Sequence, residues 1–234
     1  MDFALLRDAF WGLTFDGLAL GAIYALISLG YTLVYGVLRL INFAHSEVFM
    51  IGTFSALLAS GIMGVKVEDD PRTGWGMIFT LLVCLLAAMI ASAVTAVLVE
   101  IIAYRRLRQR GATKLATLIS AIGVSISLVE AFRIITDSLP REFPRIMDKT
   151  FLFSYAGADI RNDKVIVIVA AALMMFALER FISKSRYGKG IRAVSMDENT
   201  ATLMGVNINK VITVTFLAGG MMAGAASFFY MLVY

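Results

Sequence analysis

One cysteine and one histidine are all that this 234-residue chain offers to thiolate and imidazole chemistry. Cys84 alone can form neither an internal disulfide nor a metal cluster. His45 alone cannot supply a multidentate zinc site, and H-S-E at 45–47 lacks the H-E-x-x-H spacing of a metalloprotease. No G-x-x-x-x-G-K-[ST] phosphate loop occurs: the one Gly-Lys step, Gly188–Lys189, runs into Gly190 and lacks the hydroxyl residue that meets magnesium. Charge is scarce as well. Charged residues are 16% and apolar residues 59% of the chain, with a mean hydropathy of +0.82, against about 25% and 45–50% in soluble domains. No polar stretch is long enough to bury a soluble core unaided. These absences exclude a metalloenzyme and a self-contained ATPase, and leave an all-α, polytopic transmembrane helix bundle forming one domain over 1–234.

What is present is a series of long apolar runs. A span needs about 20 residues at a rise of roughly 1.5 Å each. Six segments meet or approach that length: Gly17–Leu38, Glu47–Val65, Met77–Tyr104, Leu115–Thr136, Val165–Ile182 and Val211–Tyr234. The first two are separated by Arg39–Ser46 alone, and two plain spans are preferred there over a re-entrant or broken helix. The net charge of +4 does not point to nucleic acid, because the basic residues sit at the ends of apolar runs without interleaved aromatics. They set topology instead. Arg105, Arg106, Arg108, Arg110 and Lys114 crowd one loop, and Lys184, Arg186, Lys189, Arg192 and Lys210 another, so both belong inside. Alternation then puts the N-terminus, the loop 66–76, the loop 138–164 and Tyr234 outside. Met1–Asp16 has no signal-peptide pattern and reads as an amphipathic start lying along the outer interface, anchored by Trp11.

Several residues within this frame are candidates for function. Gly17, Gly21 and Ala25 repeat at four-residue spacing in the first span, as do Gly220 and Gly224 in the last, and such faces mark helix packing in lipid. Glu100 and the Glu179–Arg180 pair lie near the inner boundary and are expected to snorkel to it. Glu130 and Arg133, three apart, are expected to pair. Leu40–Gly52 reads L-I-N-F-A-H-S-E-V-F-M-I-G, which places Asn42, His45 and Glu47 between two apolar runs with no polar linker. Their polar groups are expected to be buried against the bundle or to cap the second span. The polar island 183–210 lies between two spans. Within it Ala193–Gly205 reads as one short helix carrying Asp197 and Glu198 among Ala193, Ala201, Leu203 and Met204, with Gly205 as its stop. An interfacial amphipathic helix fits that pattern equally well.

At these two places the chain resembles a known family. G-L-A-L-G-A-I-Y-A-L-I-S-L-G-Y-T-L-V-Y-G followed by I-N-F-A-H-S-E-V-F-M-I-G, residues 17–52, is similar to the N-terminal signature of the first permease subunit of bacterial branched-chain amino acid ABC importers. R-Y-G-K-G-I-R-A-V-S-M-D-E-N-T-A-T-L-M-G-V-N-I-N-K-V, continuing into T-F-L-A-G-G-M-M-A-G-A-A, is similar to that family's coupling loop. The resemblance implies a subunit in the bacterial inner membrane that moves branched-chain amino acids without a catalytic residue of its own. It further implies a second, homologous permease, two cytoplasmic ATPase subunits holding ATP and magnesium, and an extracytoplasmic amino-acid-binding protein. It places Ala193, Asp197, Glu198, Ala201, Leu203 and Gly205 on the coupling motif, and Asn42, Phe43, Ala44, His45 and Glu47 on a signature that gates or orients helices. Ser46 departs from the glycine found in many members, and members usually run on past the position of Tyr234. Urea and short-amide permeases share the architecture. A rival reading is an ion-coupled carrier or channel with His45 and Glu47 as a proton relay.

Overall fold

The computed structural model describes residues 3–139, 141–155 and 158–234. Its helices are α1 (Phe3–Leu38), α2 (His45–Ile62), α3 (Gly74–Val99), α4 (Arg106–Gln109), α5 (Lys114–Ile135), α6 (Asn162–Lys184), α7 (Arg186–Met196), α8 (Glu198–Leu203) and α9 (Ile208–Val233). A π-helical turn, Glu100–Arg105, joins α3 to α4 without a break. Five of these stretches are long and apolar enough to cross a membrane: 10–38, 74–109, 114–135, 162–184 and 208–233. The sixth expected span, α2, is not among them. At 18 residues it is about 27 Å long, and His45, Ser46 and Glu47 in its first turn make it less apolar than the five.

The reason lies in where α2 begins. Its first residue, His45, packs against Gly30 and Tyr31 of α1. Those residues lie about 12 Å back from the end of α1 at Leu38, at 1.5 Å per residue. Residues 39–44 therefore run inward from the α1 terminus, and α2 starts inside the bundle. Non-helical backbone at that depth is tolerated because protein surrounds it: Asn42, Ala44 and His45 are all buried. The broken-helix arrangement thus replaces the plain pair of spans. The N-terminal stretch also differs from expectation, since Phe3–Leu38 is one continuous helix; Met1 and Asp2 of the expected interfacial segment lie outside the described residues. The expected loop 138–164 carries a small antiparallel hairpin, β1 (Phe151–Tyr155) with β2 (Ala158–Arg161), on an otherwise helical fold.

The bundle is organised around α9. Its apolar window is 78% buried, against 11–33% for the other four candidate spans, so α9 is the central helix. Close approach makes this possible. A Cβ added at Gly219 would lie 2.8 Å from the Gly30 carbonyl oxygen of α1, and one at Gly30 would lie 2.7 Å from the Gly219 oxygen. One at Gly220 would lie 2.7 Å from the Ser92 oxygen of α3, and Gly224 sits equally tight on Ala88. Of the expected packing positions, Gly220 and Gly224 thus face α3, whereas Gly17 and Gly21 lie on the open side of α1 with nothing within 4 Å of an added Cβ. Ala25 is half-buried; the face that α1 packs inward carries Ala19, Ile23, Leu26 and Val34 instead.

Chain ends and loops divide between the two ends of the bundle. At one end Asp16 pairs with Lys164, Arg72 donates from its backbone N–H to the Ile146 carbonyl, and Lys149 donates to the Val233 carbonyl. At the other, Arg39 meets α7 and Arg108 meets Asn209. Gly220→Leu is expected to force α3 and α9 apart and to cost at least about 1–3 kcal/mol, while Gly17→Leu in the same isolated chain shifts stability by less than about 0.5 kcal/mol. Thermal unfolding of both variants in detergent checks this; equal effects would mean that α9 is not the tightly packed helix described.

Candidate functional site: the α1–α2 break and the α7–α8 elbow

Asn42 organises the break. Its side-chain oxygen accepts from the buried Tyr104 hydroxyl at 3.0 Å and from the Ala44 N–H at 3.2 Å, and its backbone carbonyl accepts from the His45 N–H at 3.3 Å. The amide thereby turns the chain into α2 and ties that turn to the π-helical segment. His45 is 4% exposed, stands edge-on to Tyr31 with ring centroids 5.7 Å apart, and leaves its Nε2 buried without a hydrogen-bond partner. Glu47 is buried in the first turn of α2, where the helix dipole favours a negative charge, and accepts from the Ser46 hydroxyl at 3.1 Å. Among the described residues no hydrogen bond or ion pair joins His45 to Glu47, so the pair is not a connected relay.

Asn42 and His45, but not Glu47, border a hollow of about 400 Å³, lined with them by Ile27, Tyr31, Phe43, Ser46 and Phe49. Ala44 is fully buried behind it. A second hollow of about 550 Å³ opens at the end that carries Lys149 and Tyr234. Phe49 lines both, and its ring meets Tyr230 edge-on at 6.2 Å. Among the described residues no three His, Cys, Asp or Glu side chains gather as a metal ion would need.

A charged cluster that sequence reasoning missed closes the opposite end. Glu100 does not snorkel: it is fully buried. Arg105 donates to it in fork fashion, at 3.1 and 2.5 Å, and Arg108 approaches to 3.6 Å. Both arginines reach on to the start of α9, Arg105 to the Thr213 hydroxyl and Arg108 to the Asn209 amide oxygen, each at 2.6 Å. Residues five apart do not face one another on an α-helix. The π turn supplies the register that brings Glu100 and Arg105 together, so α-helical spacing holds no signal for this pair. Glu130 and Arg133 do pair, at 3.4 Å on an exposed face.

The polar island forms an elbow rather than the single helix expected over Ala193–Gly205. Asp197 takes extended backbone angles, φ −155° and ψ 116°, and breaks it into α7 and α8. Its carboxylate accepts from the Thr200 hydroxyl at 2.5 Å and the Asn199 N–H at 2.9 Å, which together hold its pKa below the usual carboxylate range. Ala193 ends up on α7, while Ala201 is the buried residue of α8. Glu198 borders a small hollow with Arg108 and Lys114. Gly205 closes the elbow in the left-handed region at φ +82°, and Asn207 caps α9. Three large apolar side chains stand out from this elbow: Met196, Leu203 and Met204, at 81%, 87% and 80% exposed.

Residues 13–234 match the family described as the permease component of the branched-chain amino acid transport system. The chain belongs to this family. It is 37% identical over 215 residues to the high-affinity branched-chain amino acid transport permease BraD of Pseudomonas aeruginosa, covering 91% of this chain and 67% of that protein. LivH of Escherichia coli K12 and of Salmonella typhimurium are 34% and 35% identical over 216 residues, with the same coverage. No solved structure matches. This permease is therefore a multi-pass membrane protein of a transport family.

Removing Glu100 leaves Arg105 and Arg108 without their buried counter-charge, and breaking such a pair from one side costs on the order of 3 kcal/mol. Glu100→Ala is expected to lower the unfolding midpoint sharply, and Glu100→Ala with Arg105→Ala to cost less than the sum of the two single changes. Additive losses in a double-mutant cycle by denaturant unfolding would show that the cluster is not coupled.

Proposed function

We propose that this chain is a permease subunit of an ABC importer that moves branched-chain amino acids into the bacterial cytoplasm. The observation that carries it is the α7–α8 elbow. A membrane protein that leaves Met196, Leu203 and Met204 exposed beside a polar, basic bundle end presents an apolar knob that none of the described residues covers. A cleft in a soluble ATPase is a fitting partner for a short helix of this shape. ATP and magnesium belong to that partner, because this sequence has no phosphate loop.

The arginine-rich bundle end, with residues 105–114 and 183–210, then faces the cytoplasm, and the N-terminus and the hairpin face outward, following the positive-inside rule. The two hollows that share Phe49 form half of a path whose other half comes from a homologous permease. Substrate arrives from an extracytoplasmic binding protein, which selects it before it reaches the hollow at His45. Two ATPases, one per permease, complete the assembly.

Leu203→Glu puts a charge on the knob without touching the core. In a mild-detergent pull-down from native membranes, the unaltered chain is expected to bring along stoichiometric ATPase and a second permease, and Leu203→Glu to retain at least ten-fold less ATPase with the permease partner still bound. Equal ATPase recovery from both would remove the elbow as the docking element. Recovery of the chain alone would favour the ion-coupled carrier.

A further inference from the structure

We infer that Arg39 is the positioning residue that couples the α7–α8 elbow to the α1–α2 break, so that displacement of the elbow is delivered to the wall of the hollow at His45. This rests on the reading that an ATPase docks on the elbow.

Arg39 follows the last residue of α1 and sits in the left-handed region at φ +53°, where residues other than glycine are seldom found. Its N–H still bonds the Tyr35 carbonyl at 2.7 Å, so the chain leaves the helix there while remaining anchored to it. That unusual backbone aims the side chain at α7. One guanidinium nitrogen donates to the Ser195 carbonyl at 3.0 Å and to the Met196 carbonyl at 2.9 Å. Those oxygens belong to the last turn of α7, which has no further helical N–H to satisfy them and carries the negative end of the helix dipole. A cation there supplies both donors and charge. The same charge acts on the Asp197 carboxylate, the N-cap of α8. Arg39 thus holds the α7 arm of the elbow at the point where the chain turns into α8, across more than 150 residues of sequence.

On its other side Arg39 is three residues from Asn42, whose side chain fixes the turn into α2 through Tyr104 and Ala44. The span between them is too short to absorb a shift by uncoiling. A push on the elbow therefore moves the Asn42 turn and the first residues of α2, His45 and Phe49 included, instead of only tilting α7. Lysine keeps the charge but loses the planar fork, and glutamine loses the charge.

The test uses proteoliposomes holding the chain with its permease and ATPase partners, in which uptake and ATP hydrolysis are measured together for the unaltered protein, Arg39→Lys and Arg39→Gln. Arg39→Gln is expected to assemble and hydrolyse ATP within about two-fold of the unaltered complex, with uptake per ATP reduced at least ten-fold; Arg39→Lys recovers most of the ratio. An unchanged ratio in Arg39→Gln overturns the inference, as does a loss of uptake and hydrolysis together that lysine does not restore. A second measurement needs no partner: spin labels on the exposed Ile41 and Asn199 in the chain alone. Arg39→Gln is expected to broaden the label distance markedly, and an unaltered distribution overturns the clamp. If the distance responds in the chain alone while the pull-down from native membranes recovers no ATPase, the docking reading falls and the clamp stands.

Discussion

Backbone contact between α9 and its neighbours is the constraint on which the rest of this structure depends. In lipid, apolar side chains gain little from meeting one another rather than acyl chains, so helices associate through tight packing and shared polar groups. Gly30 against Gly219, and Gly220 against Ser92, bring the axes of α1, α3 and α9 close enough for main-chain atoms to touch. Ser92 then reaches across to the Val48 carbonyl of α2 at 2.8 Å, which draws the fourth helix in. With α9 fixed at the centre, the α1–α2 break has a wall to lie against, and the two hollows open on either side of Phe49.

A second layer of organisation lies at the arginine-rich end, where attachments to α9 are electrostatic. Glu100, Arg105 and Arg108 fasten the end of α3 to Thr213 and Asn209, while Arg39 fastens the end of α1 to α7. The central helix is thereby held stiffly along its length. The elbow that precedes it is held by a few directional bonds. That contrast suits a device in which a soluble partner moves the elbow while the bundle transmits the motion rather than deforming.

The helical bundle, the spans and the polar island were legible because apolar runs of about 20 residues carry their own meaning in a membrane protein. Gly220 and Gly224 were legible from spacing, but Gly17 and Gly21 share that spacing and face away from the core, since a period of four names a face without saying what lies opposite. The Asp197 break was hidden because an acidic residue inside a helix and one capping the next look alike until backbone angles are known. The Glu100 cluster was hidden for a different reason: its register exists only in a π turn. Burial of Asn42 and His45 is legible in the missing linker, whereas the start of α2 inside the bundle follows from a tertiary contact with Gly30 that no local pattern encodes.

The most direct test of the account is ATP-driven uptake of leucine into proteoliposomes that hold the chain with its permease and ATPase partners, supplied with the binding protein outside. Uptake is expected to require ATP on the side of the α7–α8 elbow and to persist when a protonophore collapses the proton gradient. Uptake that continues without ATP and stops with the protonophore would contradict it.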